Sequence, residues 1–541
     1  MVRLFLSQRQ PMVVRDRMYL IYKIGGQLTF IHRGATLAMA GNLALASNAT
    51  LTNSGTLNVP VNAKLTAGLN NAGTISLGGG GQFSTLNVLG PFQSTNGLLI
   101  DHVSANLEKS SMLQIDGNLS GTTRVQFNND GSSGRLGEQI RFAQSSLNTV
   151  TRGDTFIAAN PVGARNIYDV RLKGSPYVWE IVQKNENGQT NWFLQTPFAP
   201  PVVPDANAGK PSQPVQPPLT PPVPIIVPVS PEVSPTLKPV RLLPEIPVYG
   251  ILPAVSEIIL RSNLSTLEQR LDAVPNVAND LWIKIDATHL KQSEDYGFSF
   301  DGWGSSVTIG IDRDGQLDDS KSWRGGAFLA WSHNQLNTSG EGALIQSRAS
   351  ADLDVNSFQT GLYGQLEKDG WYGRAIALLG YERAKVKTED AYSNTLTAPI
   401  WAMSLGVGKV FEVFDNWTLA PQLNIGYANF NWDLQDESIK GRFEQTSHWY
   451  GGASIRVERR INTEENIWLR SGVTHQFGRD SALNLTAPNL YLPAAGPSTT
   501  WQMQLGYSKQ TNWGSYYGLL GGSWARGQQL GKAELGLQWK W

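Results

Sequence analysis

The chain has 541 residues, with 44 Lys and Arg against 44 Asp and Glu, and no Cys. The balanced charge gives no general attraction for nucleic acid, and the lack of cysteine excludes a disulfide framework and thiol-based metal sites. The length predicts more than one domain. No apolar run approaches the roughly 18–20 residues of a membrane-spanning helix, so any membrane insertion has to use strands.

Residues 1–33 form an atypical N-terminal segment. It is basic, and its longest apolar stretch is only Met18–Tyr22. A secretory signal needs about 7–15 uninterrupted apolar residues. We therefore expect either that the chain starts inside a longer protein or that this is a truncated copy without its signal peptide.

Residues 34–197 consist of short strands separated by Asn and Gly. Leu51-Thr-Asn-Ser-Gly-Thr-Leu57 recurs at an 18-residue period as Leu69-Asn-Asn-Ala-Gly-Thr-Ile75. A strand and an Asn/Gly turn at a fixed period are typical of a β-solenoid, in which each rung covers its neighbour's apolar edge. A β-sandwich with accidental similarity is the alternative. Longer strands from about Leu98 to Thr196 predict a cap on the last rung, which would otherwise expose an unpaired edge.

A linker and a helix are predicted next. Residues 198–253 are proline-rich, which favours extended polyproline-II conformations over a sheet or a helix. Residues 254–275 are then expected to form a helix, because Ala254–Val274 has no Gly or Pro and places apolar residues at helical spacing. A length of about 31 Å matches a hydrocarbon core, but the segment is too charged to face lipid. It predicts a plug inside a pore, with the charged residues Glu257, Arg261, Glu268 and Arg270.

Residues 276–541 predict a transmembrane β-barrel. Twelve segments alternate apolar and polar residues, and aromatic residues lie near the strand ends. The last segment places Ala533, Leu535, Leu537, Trp539 and Trp541 on one face. With an even number of strands, the start of the first strand and the end of the last strand lie on the same side of the membrane. The polar phase of the strands predicts these lumen-facing partners for the helix: Lys284, Asp286, Arg374, Arg456, Glu458 and Arg470.

The predicted fold class is therefore all-β: a right-handed parallel β-helix (solenoid) fragment, a Pro-rich linker, and a 12-stranded antiparallel transmembrane β-barrel with a lumenal α-helix. This order resembles an autotransporter (type V secretion) of the pertactin-like group, and the barrel and helix carry the resemblance over residues 254–541. Arg165-Asn-Ile-Tyr-Asp-Val-Arg-Leu172 and Gly188-Gln-Thr-Asn-Trp-Phe-Leu194 are similar to the strands that close pertactin-like passengers.

The resemblance implies a location and a set of partners. The barrel would lie in the cell outer membrane, and it would translocate and anchor its own N-terminal passenger at the cell surface. The passenger would be an adhesin or virulence-type binding surface, with receptors on host cells. The barrel would contact membrane lipid, periplasmic chaperones and the barrel-assembly machinery. The resemblance also implies a C-terminal assembly signal, formed by Leu535, Leu537, Trp539 and Trp541.

One family feature fits only in part. In the self-cleaving branch, an Asn-Asn pair in the lumenal helix is cut. The comparable position reads Ser262-Asn263-Leu264, which keeps Asn263 as the one candidate for cleavage and lacks the second asparagine.

No catalytic constellation is found in the sequence. It lacks a G-x-S-x-G elbow, an H-E-x-x-H motif and a phosphate-binding G-x-x-x-x-G-K loop. The sequence therefore predicts a protein that is not an enzyme, with no cofactor, no metal and no nucleic-acid partner. Two alternatives stay open: a translocator of a surface hydrolase whose catalytic part lies upstream, and a porin for small solutes.

Overall fold

The structure is a computed structural model. It describes residues 23–24, 27–28, 30–45, 49–146, 154–163, 166–196, 241–272, 279–293, 299–318, 320–339, 341–342, 345–346, 351–434, 436, 439–444, 446–478, 481–485, 490–493 and 496–540. Arg165, Val274, Trp541, most of the predicted N-terminal segment and most of the predicted linker lie outside these ranges. No helix among the described residues has the length and apolarity needed to cross a membrane.

The N-terminal part stacks short parallel strands in three rows, which confirms the predicted β-helix. Each row continues in register from one rung to the next, so that Leu51 lies beside Leu69 and Leu57 beside Ile75. The stack begins before residue 34, because Phe30–Ile31 pairs in parallel with Thr52–Asn53. The first row contains Phe30–Ile31, Thr50–Asn53, Gly68–Asn71 and the starts of Phe92–Ser104 and Leu119–Asn129. The second contains Thr36–Ala38, Thr56–Val59, Thr74–Leu77, the rest of the two long strands and Phe156–Ala158. The third contains Ala63–Leu65, Thr85–Val88, Met112–Ile115 and Gln139–Ser145.

The repeated Asn and Gly shape the bend between the first two rows. The Asn53 side-chain amide donates to Asn71 Oδ1 at 2.8 Å, and both residues are fully buried. A Cβ atom on Gly73 would overlap the backbone of Gly55 in the rung below. The period therefore persists because each rung needs a polar partner and a position without a side chain at the same place.

An antiparallel hairpin covers the C-terminal edge of the stack. Gln139–Ser145 pairs in parallel with Met112–Ile115 on one side and antiparallel with Gln189–Gln195 on the other. The hairpin partner Val178–Glu186 and the strand Asp169–Arg171 complete this sheet. Short strands at Lys23–Ile24, Gln27–Leu28 and Lys109–Ser110 make local pairings.

The described residues contain a single α-helix, α1, which spans Glu245–Leu271. The prediction that proline prevents a helix up to residue 253 is wrong, since α1 begins at Glu245 rather than Ala254. Pro244 is the N-cap, and Pro247 lies in the first turn, where backbone N–H groups have no intrahelical partner to lose. Only Pro253 lies in the helix interior, and the surrounding packing stabilises the helix there.

Twelve antiparallel strands close into a barrel around α1, which confirms the predicted strand number. We number them β1 to β12. They are Asn279–Gln292, Ser299–Asp318, Lys321–Ser339, Ala351–Lys368, Trp371–Thr388, Ser393–Lys409, Trp417–Phe430, Ser447–Arg460, Glu465–Phe477, Thr499–Thr511, Gly514–Ala525 and Gln528–Lys540. The barrel closes where β1 pairs with β12. Strand β6 continues as Phe411–Phe414, and outside the barrel lie the short strands Glu341–Gly342, Ile345–Gln346, Gly441–Glu444, Ala482–Leu485 and Leu490–Pro493.

The two barrel ends differ. The end at which β1 begins and β12 finishes has short connections, such as residues 369–370 and 512–513, whereas residues 431–446 and 478–498 connect strands at the other end. Short turns are typical of the periplasmic end and longer loops of the outer end. The outward face carries exposed tryptophans toward both ends, as interfacial girdles require. Trp303, Trp449, Trp501 and Trp524 lie toward the outer end, and Trp371, Trp417, Trp513 and Trp539 toward the periplasmic end.

Candidate functional site

The interior of the barrel is filled by α1, which packs mainly against β3, β4 and β5. Nearly every residue of the helix is buried, including its polar ones. Buried polar groups are costly unless they are hydrogen-bonded. The partners of the helix on the barrel wall therefore define the candidate site.

The outer half of α1 is hydrogen-bonded to hydroxyl, indole and carboxylate groups of the barrel. The Tyr249 hydroxyl donates to Asp436 Oδ2 at 2.9 Å and lies 3.2 Å from the Tyr392 hydroxyl. Ser256 donates to Glu382, and the Trp432 indole N–H donates to Ser256 Oγ at 3.0 Å. These contacts come from loops and strand ends, so they fix the helix at the outer mouth.

Arg270 forms the first charged cluster at the periplasmic end of α1. Its guanidinium contacts Asp312 through Nε at 2.6 Å and Nη2 at 2.7 Å, and it contacts Asp280 Oδ2 at 2.9 Å. The Gln538 side chain accepts a further bond at 2.6 Å. Arg324 donates to the Arg270 carbonyl at 2.9 Å and pairs with Asp314. A buried guanidinium is thus held by two carboxylates in a planar arrangement that suits arginine.

Asp272, the C-cap of α1, forms the opposite cluster. Its carboxylate pairs with Arg374 and Arg470, and Arg456 Nη1 lies 3.1 Å from Oδ2. Three guanidinium groups from β5, β8 and β9 therefore surround one carboxylate. Arg270 and Asp272 are only two residues apart and carry opposite charges. Each of them faces wall residues of the opposite sign.

The remaining predicted positions are placed as follows. Lys284 is fully buried, with Nζ 2.6 Å from Thr266 Oγ1 of the helix and 2.9 Å from Asp286 Oδ2. Glu458 lies beside Arg456, at 2.7 Å. The charged helix residues Glu257 and Arg261 pair with each other at 2.6 Å, and Glu268 lies 3.7 Å from Arg470.

Asn263, the candidate cleavage position, lies buried in the lumen. Its side-chain amide donates to Gln359 Oε1 at 2.8 Å.

The proposed assembly signal lies on the closing strand. Leu535, Leu537 and Trp539 are exposed on the outer face of β12. Trp539 lies opposite Leu281 of β1 in the closing ladder.

A cavity of about 110 Å³ lies beside the helix. Its lining includes Glu257 and Arg261 of the helix and Gln476, Gln502, Gln504 and Lys532 of the wall. The helix therefore fills the lumen unevenly, and it leaves space on the side of β9 to β12.

Residues 281–522 match the family model described as "Autotransporter beta-domain". The barrel is an autotransporter β-domain. The match extends from β1 into β11, and it confirms the family that the sequence resembles. The autotransporter barrel lies in the outer membrane, in agreement with its apolar outer face and aromatic girdles.

Three similar proteins are named as autotransporters or as parts of them. The adhesin BmaC autotransporter of Brucella suis biovar 1 (strain 1330) is 24% identical over 446 residues, which are 74% of this chain and 11% of that protein. The chain thus spans about a tenth of the length of this curated relative. Among solved structures, the transport unit of the autotransporter AIDA-I from Escherichia coli has 14% identity and a TM-score of 0.44, covering 48% of this chain and 90% of that one. The translocator domain of the autotransporter NalP from Neisseria meningitidis has 11% identity and a TM-score of 0.43, covering 53% and 97%.

Several site residues were missed by the sequence reasoning. Asp272 carried a usable signal, because an acidic residue at a helix C-terminus opposes the helix dipole and needs an external cation. Asp280 lies on the polar phase of its strand but was not distinguished from other polar residues. Tyr249 fell in the segment assigned to the linker, so its role could not be found.

Proposed function

We propose that the autotransporter barrel translocates its N-terminal solenoid and anchors it at the cell surface as an adhesin-type passenger. The observation that carries this proposal is the path of α1, which runs from the outer mouth at Glu245 to the periplasmic end at Asp272. The described solenoid and its C-terminal hairpin, which precede α1, would then project outside. The similarity to an adhesin autotransporter supports a passenger that acts by binding.

The charged clusters are proposed to seat the helix after translocation. In this role, Arg374, Arg456 and Arg470 hold Asp272, while Lys284 and its partner Asp286 hold the C-terminal third of α1 through Thr266. Glu458 would orient Arg456. Such buried ion pairs would fix the position of the helix more than they add net stability, because the cost of desolvating the charges offsets most of their attraction.

The proposed partners follow from the same arrangement. The outward residues Leu535, Leu537 and Trp539, with Trp541 beyond them, would be read by the barrel-assembly machinery, and periplasmic chaperones would accompany the chain to it. Host-cell receptors are the proposed partners of the passenger.

The test compares cells that produce the full chain with cells that produce a variant lacking residues 30–196. An antibody against the solenoid should label intact cells only in the first case, and those cells should bind host-cell monolayers several-fold better. Equal heat-modifiability of both barrels is the control for assembly. Surface labelling without any gain in binding would contradict the adhesin role, and absence of labelling would contradict display.

A further inference from the structure

One side chain of the cap joins three parts of the molecule at the outer mouth. Arg171, in the strand Asp169–Arg171, donates from Nη2 to Glu245 Oε2 at 3.2 Å and from Nε to Asp390 Oδ2 at 2.9 Å. Glu245 lies in the first turn of α1, and Asp390 lies in the loop between β5 and β6. The Arg171 guanidinium also lies 4.7 Å from the centre of the Tyr392 ring.

These charges are largely withdrawn from water. The side chain of Glu245 is 0% exposed, that of Asp390 is 8% exposed and that of Arg171 is 20% exposed. A buried carboxylate without a cation is strongly destabilising. Removal of Arg171 would leave two carboxylates close together with their shared cation gone, and both the cap and the barrel mouth would lose a contact.

A short segment ahead of α1 adds a second set of contacts. Leu242 forms a β-bridge with Tyr177 of the cap, Val178 N–H donates to the Arg241 carbonyl at 2.9 Å, and Leu243 N–H donates to the Pro176 carbonyl at 2.9 Å. The side chains of Leu242 and Leu243 are fully buried. We call residues 241–243 the strap; Arg241 in it pairs with the cap residue Asp169.

We propose that the cap docks on the outer mouth of the barrel through Arg171 and the strap, and that this interface holds the passenger on the barrel independently of the covalent linker. The strap and Glu245 belong to the barrel side of any cut made in residues 197–240. A passenger cut there would stay bound, because its cap still contacts the strap, Glu245 and Asp390. The proposal rests on the proposed function only in that the solenoid is taken to stand outside the membrane.

The test uses the full chain, purified in detergent, with a site for a sequence-specific protease inserted after Ala206. After cleavage, the two fragments are expected to elute together in size-exclusion chromatography. Separation of the fragments of the otherwise unchanged chain would overturn the proposal. This result would leave the adhesin proposal standing, because surface labelling and cell binding are measured on the uncut chain.

Two variants test the ion pairs directly. Arg171→Gln and Asp390→Asn should each speed dissociation of the cut passenger about tenfold or more, as expected when one partner of a buried charge pair is removed. The double variant Arg171→Asp/Asp390→Arg should slow dissociation again relative to Arg171→Asp alone. Co-elution that is unchanged in Arg171→Gln would overturn the role of Arg171.

Matched controls separate docking from folding. Arg135→Gln alters a cap arginine that pairs only with Glu138 of the cap among the described residues, and Asp354→Asn alters a barrel aspartate that pairs with Lys387 of the neighbouring strand. Neither should change the dissociation rate. Heat-modifiable migration checks the barrel of every variant, and protease resistance of the released fragment checks the solenoid.

Discussion

In both the solenoid and the barrel, apolar and polar side chains alternate along the strands. The apolar side chains point inward in the solenoid and outward in the barrel. In the solenoid, Leu51, Leu69 and Ile75 point inward and are essentially unexposed. In the barrel, Leu281, Leu535 and Leu537 point outward, whereas Lys284 and Glu534 are buried inside. One region excludes water from its centre, and the other surrounds a polar centre with an apolar outer surface that suits lipid.

The difference extends to how polar groups are satisfied. The solenoid stacks neutral amides in Asn53 and Asn71, and an amide can pair with a copy of itself on the next rung because it both donates and accepts. The barrel interior pairs opposite charges, as in Arg270 with Asp312. A repeated charge in a stack would face its own sign, while a closed barrel can place opposite signs on different strands. The architecture therefore decides which polar chemistry each interior can hold.

The largest expected effect comes from the closing seam of the barrel. Deletion of Trp539–Trp541 removes the pairing of Trp539 with Leu281 and of Lys540 with Asp280. We expect outer-membrane assembly to be abolished, measured as loss of heat-modifiable migration in membranes. Trp513→Ala, which removes a ring 6.5 Å from that of Trp539 without shortening β12, should still assemble. A normal heat-modifiable barrel in the deletion would contradict the seam's importance.

The next effect tests the charged interior of the barrel. Asp272→Lys places a cation among Arg374, Arg456 and Arg470. We expect a loss of about 3–5 kcal/mol in the free energy of unfolding, the usual cost of breaking a buried ion pair. Ionic conductance through planar bilayers should rise as the helix end is displaced.

The control for Asp272→Lys lies on the same helix. Glu257→Gln/Arg261→Gln neutralises both members of a pair that the helix makes with itself, and Glu257 also lies 3.7 Å from His448 of β8. Because both charges are removed together and neither is left buried alone, this variant should cost only about 1 kcal/mol. Equal conductance in both variants would show that the wall charges do not seat the helix.

The third effect tests the neutral stack of the solenoid. Asn71→Ala leaves Asn53 without its side-chain acceptor in a buried site. We expect the solenoid to lose about 2 kcal/mol in its free energy of unfolding. Proteolysis at increasing denaturant concentrations measures this loss under conditions in which the barrel stays folded. Asn70→Ala changes the adjacent, partly exposed residue of the same rung and should stay within about 0.5 kcal/mol. Equal losses would contradict a specific role for the stack.

The smallest effect concerns Asp101, whose side chain lies in the solenoid between those of Leu77 and Phe127 on the neighbouring strands. Burial raises the pKa of Asp101 well above the ordinary aspartate value. The folded solenoid therefore binds this proton more tightly than the unfolded chain, and its stability falls as pH rises from the ordinary aspartate pKa toward the raised one. Asp101→Asn should remove this loss and make the solenoid about 1 kcal/mol more stable at neutral pH, with no gain in acid.

The matched control for Asp101→Asn is Asp116→Asn, at a partly exposed position of the same solenoid. Thermal unfolding of the solenoid at several pH values measures both. An unchanged pH dependence in Asp101→Asn would show that the group is not responsible.

By itself the sequence determined the two architectures, because each follows from local periodicity. The 18-residue period of Asn53 and Asn71 specifies the rung, and the two-residue alternation from Ala533 to Trp539 specifies a strand with one apolar face. The sequence also showed which charged residues lie on α1 and which lie on the polar face of the strands. None of these features depends on where distant segments meet.

The tertiary structure alone decided which groups meet. Asp272 selects arginines from three strands because the shear and closure of the barrel bring β5, β8 and β9 around the helix end, and strand register does not follow from composition. The start of α1 at Glu245 was decided in the same way: the prolines argue against a helix locally, but burial of Ile246, Val248 and Tyr249 outweighs that preference. Long-range packing determined the positions where local propensity and the final fold disagree.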